Sequence, residues 1–485
     1  MTLDCLWTAT ELRKATGGRL VGGDNWSVTG VSIDSRTLEP GDLFVALKGP
    51  NSDGHDYVAA ARESGAAGVL VEQATDDGLP ALVVENSSEA LAALGLTARA
   101  RSDARIIAVT GSVGKTSTKE ALRFALGRGK PTHASARSYN NDIGVPLSLA
   151  RMPEHSAFGV FEIGMNHAGE ITPLSRMVRP HVVIITAIEE VHIEFFDSIE
   201  DIADAKAEIF AGLEEGGTAI LNRDNPMFGR LEAAARKAGI AHIVTFGFSD
   251  EADVYPLRTK ILDDMSCVTA QVRDQAITYK VGAPGRHWVM NSLAILAAVQ
   301  AVGGDLGLAG LALAEMAPVQ GRGQRHPVAL GPGSVFWVID ESYNANPASM
   351  RAALETLGNV SVDNNGRRGH GRAYMGRRIA ILGDMKELGD AGPRMHGDLA
   401  GPIEENGIDL VVTVGDLMEH LAKRLPGHMH LGHAGRAREI MDIIRPAIEP
   451  NDVIMVKGSQ SMGMAKIVEA LMALGQKPHA RVARG

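Results

Sequence analysis

Short, continuous apolar runs recur along the chain, each followed by a longer stretch whose apolar residues return at helical spacing. Near the start, runs 43–47 and 68–71 predict strands, while 56–64 and 88–100 predict helices, the second opened by a serine cap. Residues 99–105, Arg-Ala-Arg-Ser-Asp-Ala-Arg, read as a polar break. Beyond it, the runs 105–110, 158–163, 181–186 and 218–221 alternate with helical stretches, the first of which starts at about Lys115. Unbroken apolar strands between helices predict a mostly parallel sheet covered on both faces. After Gly247 the pattern changes to alternating polar strands around 253–281, with a helix near 288–302; these read as an antiparallel appendage to the same domain. A second strand–helix rhythm follows, with strands 335–339, 378–382, 410–414 and 453–456, and predicts another doubly wound sheet. Between its first two strands, 362–372 is rich in Gly and Arg without periodicity and reads as a mobile surface loop. No internal repeat is present at periods of about 20–50 residues.

Composition narrows the function classes. A chain of 485 residues suggests three domains, at about 150 residues each. Its 45% apolar and 22% charged residues suit several globular cores. With aromatics at 4%, those cores rest on Ala, Val, Ile, Leu and Met. A net charge of −10 disfavours nucleic-acid binding, which needs a basic face, but leaves room for a local basic pocket. The only cysteines, Cys5 and Cys267, suggest neither a disulfide framework nor a zinc site and fit a reducing cytoplasm. No signal peptide is expected from the first residues, and no apolar run reaches the roughly 18 residues of a membrane span.

The strongest chemical signal is Thr110-Gly-Ser-Val-Gly-Lys-Thr116, directly after an apolar strand. A strand turning through Gly111 and Gly114 into a helix aims backbone N–H groups and the helix dipole at an anion. Lys115 supplies a point charge for outer phosphates, and Thr116 can place a hydroxyl on Mg²⁺. The loop is shortened, because Val109 stands where the longer phosphate-loop pattern has a glycine. Glu162 ends the apolar strand 158–162, where a metal-supporting acid sits in such proteins, although a strand-end carboxylate with no role reads equally well. No Asn-Lys-x-Asp motif appears, which disfavours a guanine-specific switch. His192 follows the strand at 181–186, and Lys206 lies in an acid-rich helical segment; composition alone makes that lysine a solvated partner for its neighbours.

Taken in order, the phosphate loop, Asn140-Asn-Asp-Ile-Gly-Val-Pro146, Glu162-Ile-Gly-Met-Asn-His167, His192 with Lys206, Asn291, Asp340-Glu-Ser-Tyr-Asn-Ala-Asn-Pro347 and Val456-Lys-Gly-Ser459 resemble the Mur ligase family over almost the whole chain. The resemblance implies an α/β fold of three domains. These are a small α/β N-terminal domain binding a UDP-sugar (1–103), a central P-loop ATPase domain with a mostly parallel sheet (104–326), and a C-terminal Rossmann-like domain binding the incoming amine and part of ATP (327–485). Within the family, Asp34-Ser-Arg36, Gly41-Asp-Leu-Phe-Val-Ala-Leu-Lys-Gly49 and Tyr343-Asn-Ala-Asn-Pro347 favour the member that joins D-alanyl-D-alanine to UDP-N-acetylmuramoyl-tripeptide. The sister ligase for the third residue carries Asp-Asn-Pro-Arg late in its chain; here Asp-Asn-Pro occurs only at 224–226, followed by Met227.

The implied reaction is phosphorylation of the tripeptide carboxylate by ATP, then attack of the dipeptide amine on the acyl phosphate, in cytoplasmic peptidoglycan precursor synthesis by a monomer. By resemblance, Gly111, Ser112, Val113, Gly114, Lys115, Thr116 and Ser117 hold ATP phosphates, and Asn291, Arg325, Asp340, Tyr343 and Asn346 its remainder, with Arg322 a rival to Arg325. Thr116 and Glu162 would serve one Mg²⁺; His192 and a Lys206 carbamylated by CO₂ would serve a second. Lys115, Lys206, His192 and Glu162 form the implied catalytic set, and Ser35, Arg36 and Asn141 the UDP-sugar set. Gln460 and Ala465 depart from the family pattern, as does the length of 360–377. The rival readings are a related Mur or folylpolyglutamate-type ligase with another acceptor, and a P-loop nucleotide-binding protein without turnover.

Overall fold

The computed structural model describes residues 5–50, 52–74, 78–191, 193–362 and 376–475. His192 and most of the Gly- and Arg-rich stretch at 362–372 lie outside the described residues. The chain forms two compact units. The first comprises Met1–Ala187, Ala203–Val254 and Ala294–Ala312; the second comprises Ile188–Ile202, Tyr255–Leu293 and Leu313–Gly485.

Besides the short antiparallel pairing of Trp7–Thr8 with Ser27–Val28, the first unit carries strands of two larger sheets. One runs in the order Arg19–Val21, Ala81–Val83, Gly68–Val71, Asp42–Val45, Gly30–Ser32, parallel except for its first strand. The other runs His242–Phe246, Thr218–Asn222, Val182–Ile185, Arg105–Thr110, Phe158–Glu162, Thr132–Ala134, all parallel. Its central strands are buried on both faces, as unbroken apolar runs require. Thr132–Ala134 and His242–Phe246 escaped the sequence reading because they are partly exposed strands that mix polar with apolar residues.

Two helices join these sheets. The helix Ser87–Arg101 is capped by Asn86 rather than by a serine: Asn86 has extended backbone and its side chain accepts from the N–H groups of Ser88 and Glu89. Gly95 faces the helix Gly144–Ala150 so closely that a Cβ there would lie 3.0 Å from the Pro146 carbonyl oxygen. Leu91, Leu94 and Ala98 share a core with Leu147 and Ala150, and the Trp7 indole donates to the Ala150 carbonyl at 2.8 Å. The supposed polar break is helix as far as Arg101. Its Arg99 is buried, donating to the carbonyls of Val178 (2.8 Å) and Arg179 (2.9 Å).

The second unit holds a six-stranded sheet in the order Gln324–Gly331, Ser334–Glu341, Val453–Lys457, Arg378–Gly383, Leu410–Val414, His430–Ala434. Only the first pair is antiparallel. Alternate residues feed separate cores: Ala380 and Leu382 pack with Met350, Leu354 and Leu357, whereas Ile379 and Ile381 pack with Ile440, Ile467 and Leu471. The hairpin Ser266–Val272 and Gln275–Val281 is antiparallel, as the alternation in the sequence predicts. Both units are α/β with mostly parallel sheets.

Candidate active site

The strand Arg105–Thr110 delivers the phosphate loop at its carboxyl end, and the helix Lys115–Gly127 leaves from it. Gly111 (φ 143°) and Gly114 (φ 84°) take backbone conformations that side-chain-bearing residues resist. A Cβ on Gly111 would lie 2.0 Å from the Thr186 hydroxyl, which donates within hydrogen-bond range to the carbonyls of Val113 (2.6 Å) and Thr110 (3.2 Å). The Ser112 N–H donates to Ala187 at 2.8 Å, so the strand end 186–187 holds the loop from beneath. No side chain caps the helix and its first turn carries no acid, which suits an anion at its N-terminus. The Lys115 ammonium folds back to the Gly111 carbonyl at 2.6 Å. Gly111→Ala is expected to cost at least about 2 kcal/mol of nucleotide affinity, roughly thirtyfold, measured with a fluorescent ATP analogue.

Glu162 is buried at the carboxyl end of its strand, paired in register with Val109. One carboxylate oxygen accepts from the Asn140 side-chain amide at 2.7 Å; the other is buried with no hydrogen-bond partner. Thr116 Oγ1 lies 3.2 Å from Ser138 Oγ. Both oxygen groups therefore meet one short segment, at positions two residues apart. An orphaned buried carboxylate oxygen and a hydroxyl held by the same segment are the donor types that fit a hard divalent cation. Among the described residues, no group of three or more His, Cys, Asp or Glu could hold a metal ion. Asn140 and Ser138 are functional candidates that sequence reasoning missed, although Asn140 opens a quoted motif.

Lys206 is not the solvated residue that composition suggests: it is 2% exposed. Burial pushes its ammonium well below the ordinary lysine range, and the positive charge of Lys115 pushes it further. An ammonium so placed would repel a cation; a neutral amine can instead add to CO₂.

Asp34 takes a bidentate hold on Arg36, with Nε–Oδ1 at 2.9 Å and Nη2–Oδ2 at 2.7 Å, leaving the guanidinium well exposed. That hydrogen bonding holds the Asp34 carboxyl below its ordinary range, and Arg137 assists. The Ser35 carbonyl accepts from the Ser64 hydroxyl at 3.3 Å. Asn141 uses its side-chain oxygen on the Gly144 N–H at 2.9 Å, fixing the turn into helix Gly144–Ala150.

The remaining expected ATP residues lie in the second unit. Asp340 is buried and committed to its own chain: its carboxylate accepts from the N–H groups of Gly321 and Ser342, both at 3.1 Å, and from the Ser342 hydroxyl at 2.5 Å. Arg322 stacks on the Tyr343 ring with its guanidinium carbon 4.2 Å from the centroid. Arg325 neighbours Asp263 and Asp264, while burial lowers its pKa. Asn346 caps the helix Pro347–Gly358 by accepting from the Ser349 N–H at 2.8 Å. Asn291 is partly buried on the helix Arg286–Ala301. The buried Lys457 bonds the Glu341 carboxylate at 3.2 Å and the Asn344 carbonyl at 3.0 Å, tying the quoted Lys-Gly-Ser motif to the loop after Asp340.

Three family models match in chain order: "Mur ligase family, catalytic domain" over residues 27–99, "Mur ligase middle domain" over 109–299 and "Mur ligase, glutamate ligase domain" over 328–460. The UDP-N-acetylmuramoyl-tripeptide–D-alanyl-D-alanine ligase of Rickettsia prowazekii (strain Madrid E) is 33% identical across 96% of this chain and 99% of its own. The ligase of the same name from Escherichia coli (strain K12) shares 33% identity, again over 96% and 99%. Among solved structures, MurF from Acinetobacter baumannii superposes with a TM-score of 0.81 at 29% identity, covering 97% of this chain and 100% of that one. MurF from Thermotoga maritima, solved in complex with ADP, shares the fold at a TM-score of 0.72 and 23% identity, over 92% of this chain and 97% of that one. With the phosphate loop, the Glu162 carboxylate and the buried Lys206 in their expected order along a chain matched almost end to end, the protein belongs to the Mur ligase family.

Proposed function

We propose that this chain is an ADP-forming amide-bond ligase that joins D-alanyl-D-alanine to UDP-N-acetylmuramoyl-tripeptide. The observation that carries the chemistry is Lys206, a buried amine whose pKa is driven down by burial and by the charge of the phosphate-loop lysine. The acceptor rests on near-full-length relatives that bear this activity by name.

A carboxylate is a poor acyl donor because its leaving group would be oxide; transfer of the ATP γ-phosphoryl group to it supplies a good one. The backbone of 111–117 and Lys115 cradle the phosphates, concentrating positive charge where phosphoryl passes between two anions. Thr116 and Glu162 would hold a Mg²⁺, and His192 with carbamylated Lys206 a second; such cations neutralise charge developing on the transferred group. The burial and lowered pKa of Lys206 support the carbamate: a neutral lysine nitrogen would attack CO₂, lose a proton and become an oxygen donor. Asn291, Arg325, Asp340, Tyr343 and Asn346 serve the rest of ATP, with Asp340 acting through the turn it ties. Arg36, held ready by Asp34, meets the UDP-sugar with Ser35 and Asn141. The dipeptide amine attacks the acyl carbon as the neutral base, and phosphate leaves. The division into 1–103, 104–326 and 327–485 assigns UDP-sugar, ATP and acceptor to successive domains. We place the reaction in the cytoplasm and read the protein as a monomer; among the described residues, no helix is long and apolar enough to cross a membrane.

Purified protein supplied with UDP-N-acetylmuramoyl-tripeptide is expected to release ADP with D-alanyl-D-alanine and not with single amino acids. Oxygen-18 in the tripeptide's terminal carboxylate should appear in the released phosphate. Preference for another amine would reassign the acceptor. ATP binding without acceptor-dependent ADP release would leave a nucleotide-binding protein.

A further inference from the structure

We propose that Lys119 is a positioning residue that sets the geometry of the nucleotide–cation site through segment 135–141, a role that rests on the ligase reading above. Lys119 lies one turn beyond Lys115 on the same helix and is fully buried. Its ammonium donates to the carbonyls of Ser135 at 2.7 Å and Arg137 at 2.6 Å, and pairs with the Glu120 carboxylate at 2.6 Å. A lysine ammonium has three donors and accepts nothing. Those three acceptors use its whole capacity, so Lys119 cannot also bind a phosphate. Arg123 Nε donates to the other Glu120 oxygen at 2.9 Å, which fixes the carboxylate. A buried charge is tolerated only when paired and hydrogen-bonded, and an apolar residue would be the ordinary choice at such a position.

What Lys119 holds explains the choice. Arg137 sits at φ 48°, a conformation that costs a side-chain-bearing residue energy and needs an outside constraint. The next residue, Ser138, is the one that meets Thr116, and Asn140 is the one that meets Glu162. Asn140 also accepts, through its carbonyl, from the Gly164 N–H at 2.8 Å. Both oxygen groups that fit the cation are thus oriented by one segment, and that segment is pinned through two carbonyls to a single ammonium. Lys119 acts on the reaction without touching a substrate.

Lys119→Met keeps much of the side-chain length and removes every donor. The dissociation constant for ATP in the presence of Mg²⁺ is expected to rise about tenfold or more. Amide hydrogen exchange across 135–141 should accelerate, with kcat reduced and KM for D-alanyl-D-alanine unchanged. Lys119→Gln keeps two N–H donors, should fall between wild type and Lys119→Met, and carries the test if the methionine variant does not fold. A lysine of purely structural importance would lower the melting temperature while leaving the folded fraction with wild-type Mg²⁺–ATP affinity and wild-type exchange at 135–141; that result overturns the proposal. Binding and exchange need no acceptor, so they stand apart from the wild-type assay, where absence of D-alanyl-D-alanine-dependent ADP release would remove the ligase reading instead.

Discussion

Lys206→Ala is expected to abolish ligation, lowering kcat by about 10³-fold or more, and a short-chain carboxylic acid added to the assay should restore part of the activity. The side chain is 2% exposed and feels the Lys115 charge, so as an ammonium it would repel both Lys115 and any cation. Its lowered pKa favours the neutral amine, and only that form adds to CO₂. The resulting carbamate changes a repelled donor into a hard oxygen ligand. A small carboxylate diffusing into the space left by alanine presents the same oxygens, which is why rescue distinguishes this role from plain charge repulsion. Stripping CO₂ from wild-type protein should lower its rate, and bicarbonate should return it. The alanine variant should melt close to wild type, because it removes an amine that burial disfavours in its charged form. Wild-type kinetics in Lys206→Ala, or a variant deaf to carboxylates and a wild type deaf to bicarbonate, would eliminate the carbamate.

Lys115→Met is expected to lower the rate of phosphoryl transfer by about 10³-fold, with no recovery from added carboxylate. Its ammonium now rests on the Gly111 carbonyl at 2.6 Å, a contact within the loop that it can exchange for outer phosphates of ATP. Loss of that charge leaves the phosphoryl group without its fixed cation during transfer. It also lifts the repulsion acting on Lys206, whose pKa should move back up, reducing its readiness to take CO₂. The two lysines are therefore coupled, and the double variant should lose less than the product of the single losses. Single-turnover quenched flow measures the transfer step directly, and fluorescent nucleotide binding separates it from ATP affinity. Equal transfer rates in Lys115→Met and wild type would show that the loop lysine does not act on the phosphate.

Much of this protein was legible along the chain, and the reason is local. Continuous apolar runs such as 105–110 and 410–414 were readable as strands because burial on both faces leaves no alternation. Gly111 and Gly114 announced their turn because few other residues take those backbone angles. Asn86 was passed over as a cap because a neighbouring serine matched the same rule, and only the backbone angles decide between them. Arg99 looked solvated because its partners, the carbonyls of Val178 and Arg179, lie about 80 residues away and are backbone groups without a side-chain signature.

By itself, the sequence determined the alternation of the buried strands with helices, the phosphate-binding turn and the resemblance that names the chemistry, because each is written in neighbouring residues or in motif order. Only the tertiary structure decided that Lys206 is buried within reach of the Lys115 charge, that one Glu162 oxygen is left unpaired, and that Lys119 spends its donors on two loop carbonyls and Glu120. Burial and hydrogen-bond capacity are set by groups brought together from distant parts of the chain, and a lysine's letter is the same whether it ends in water or under a sheet.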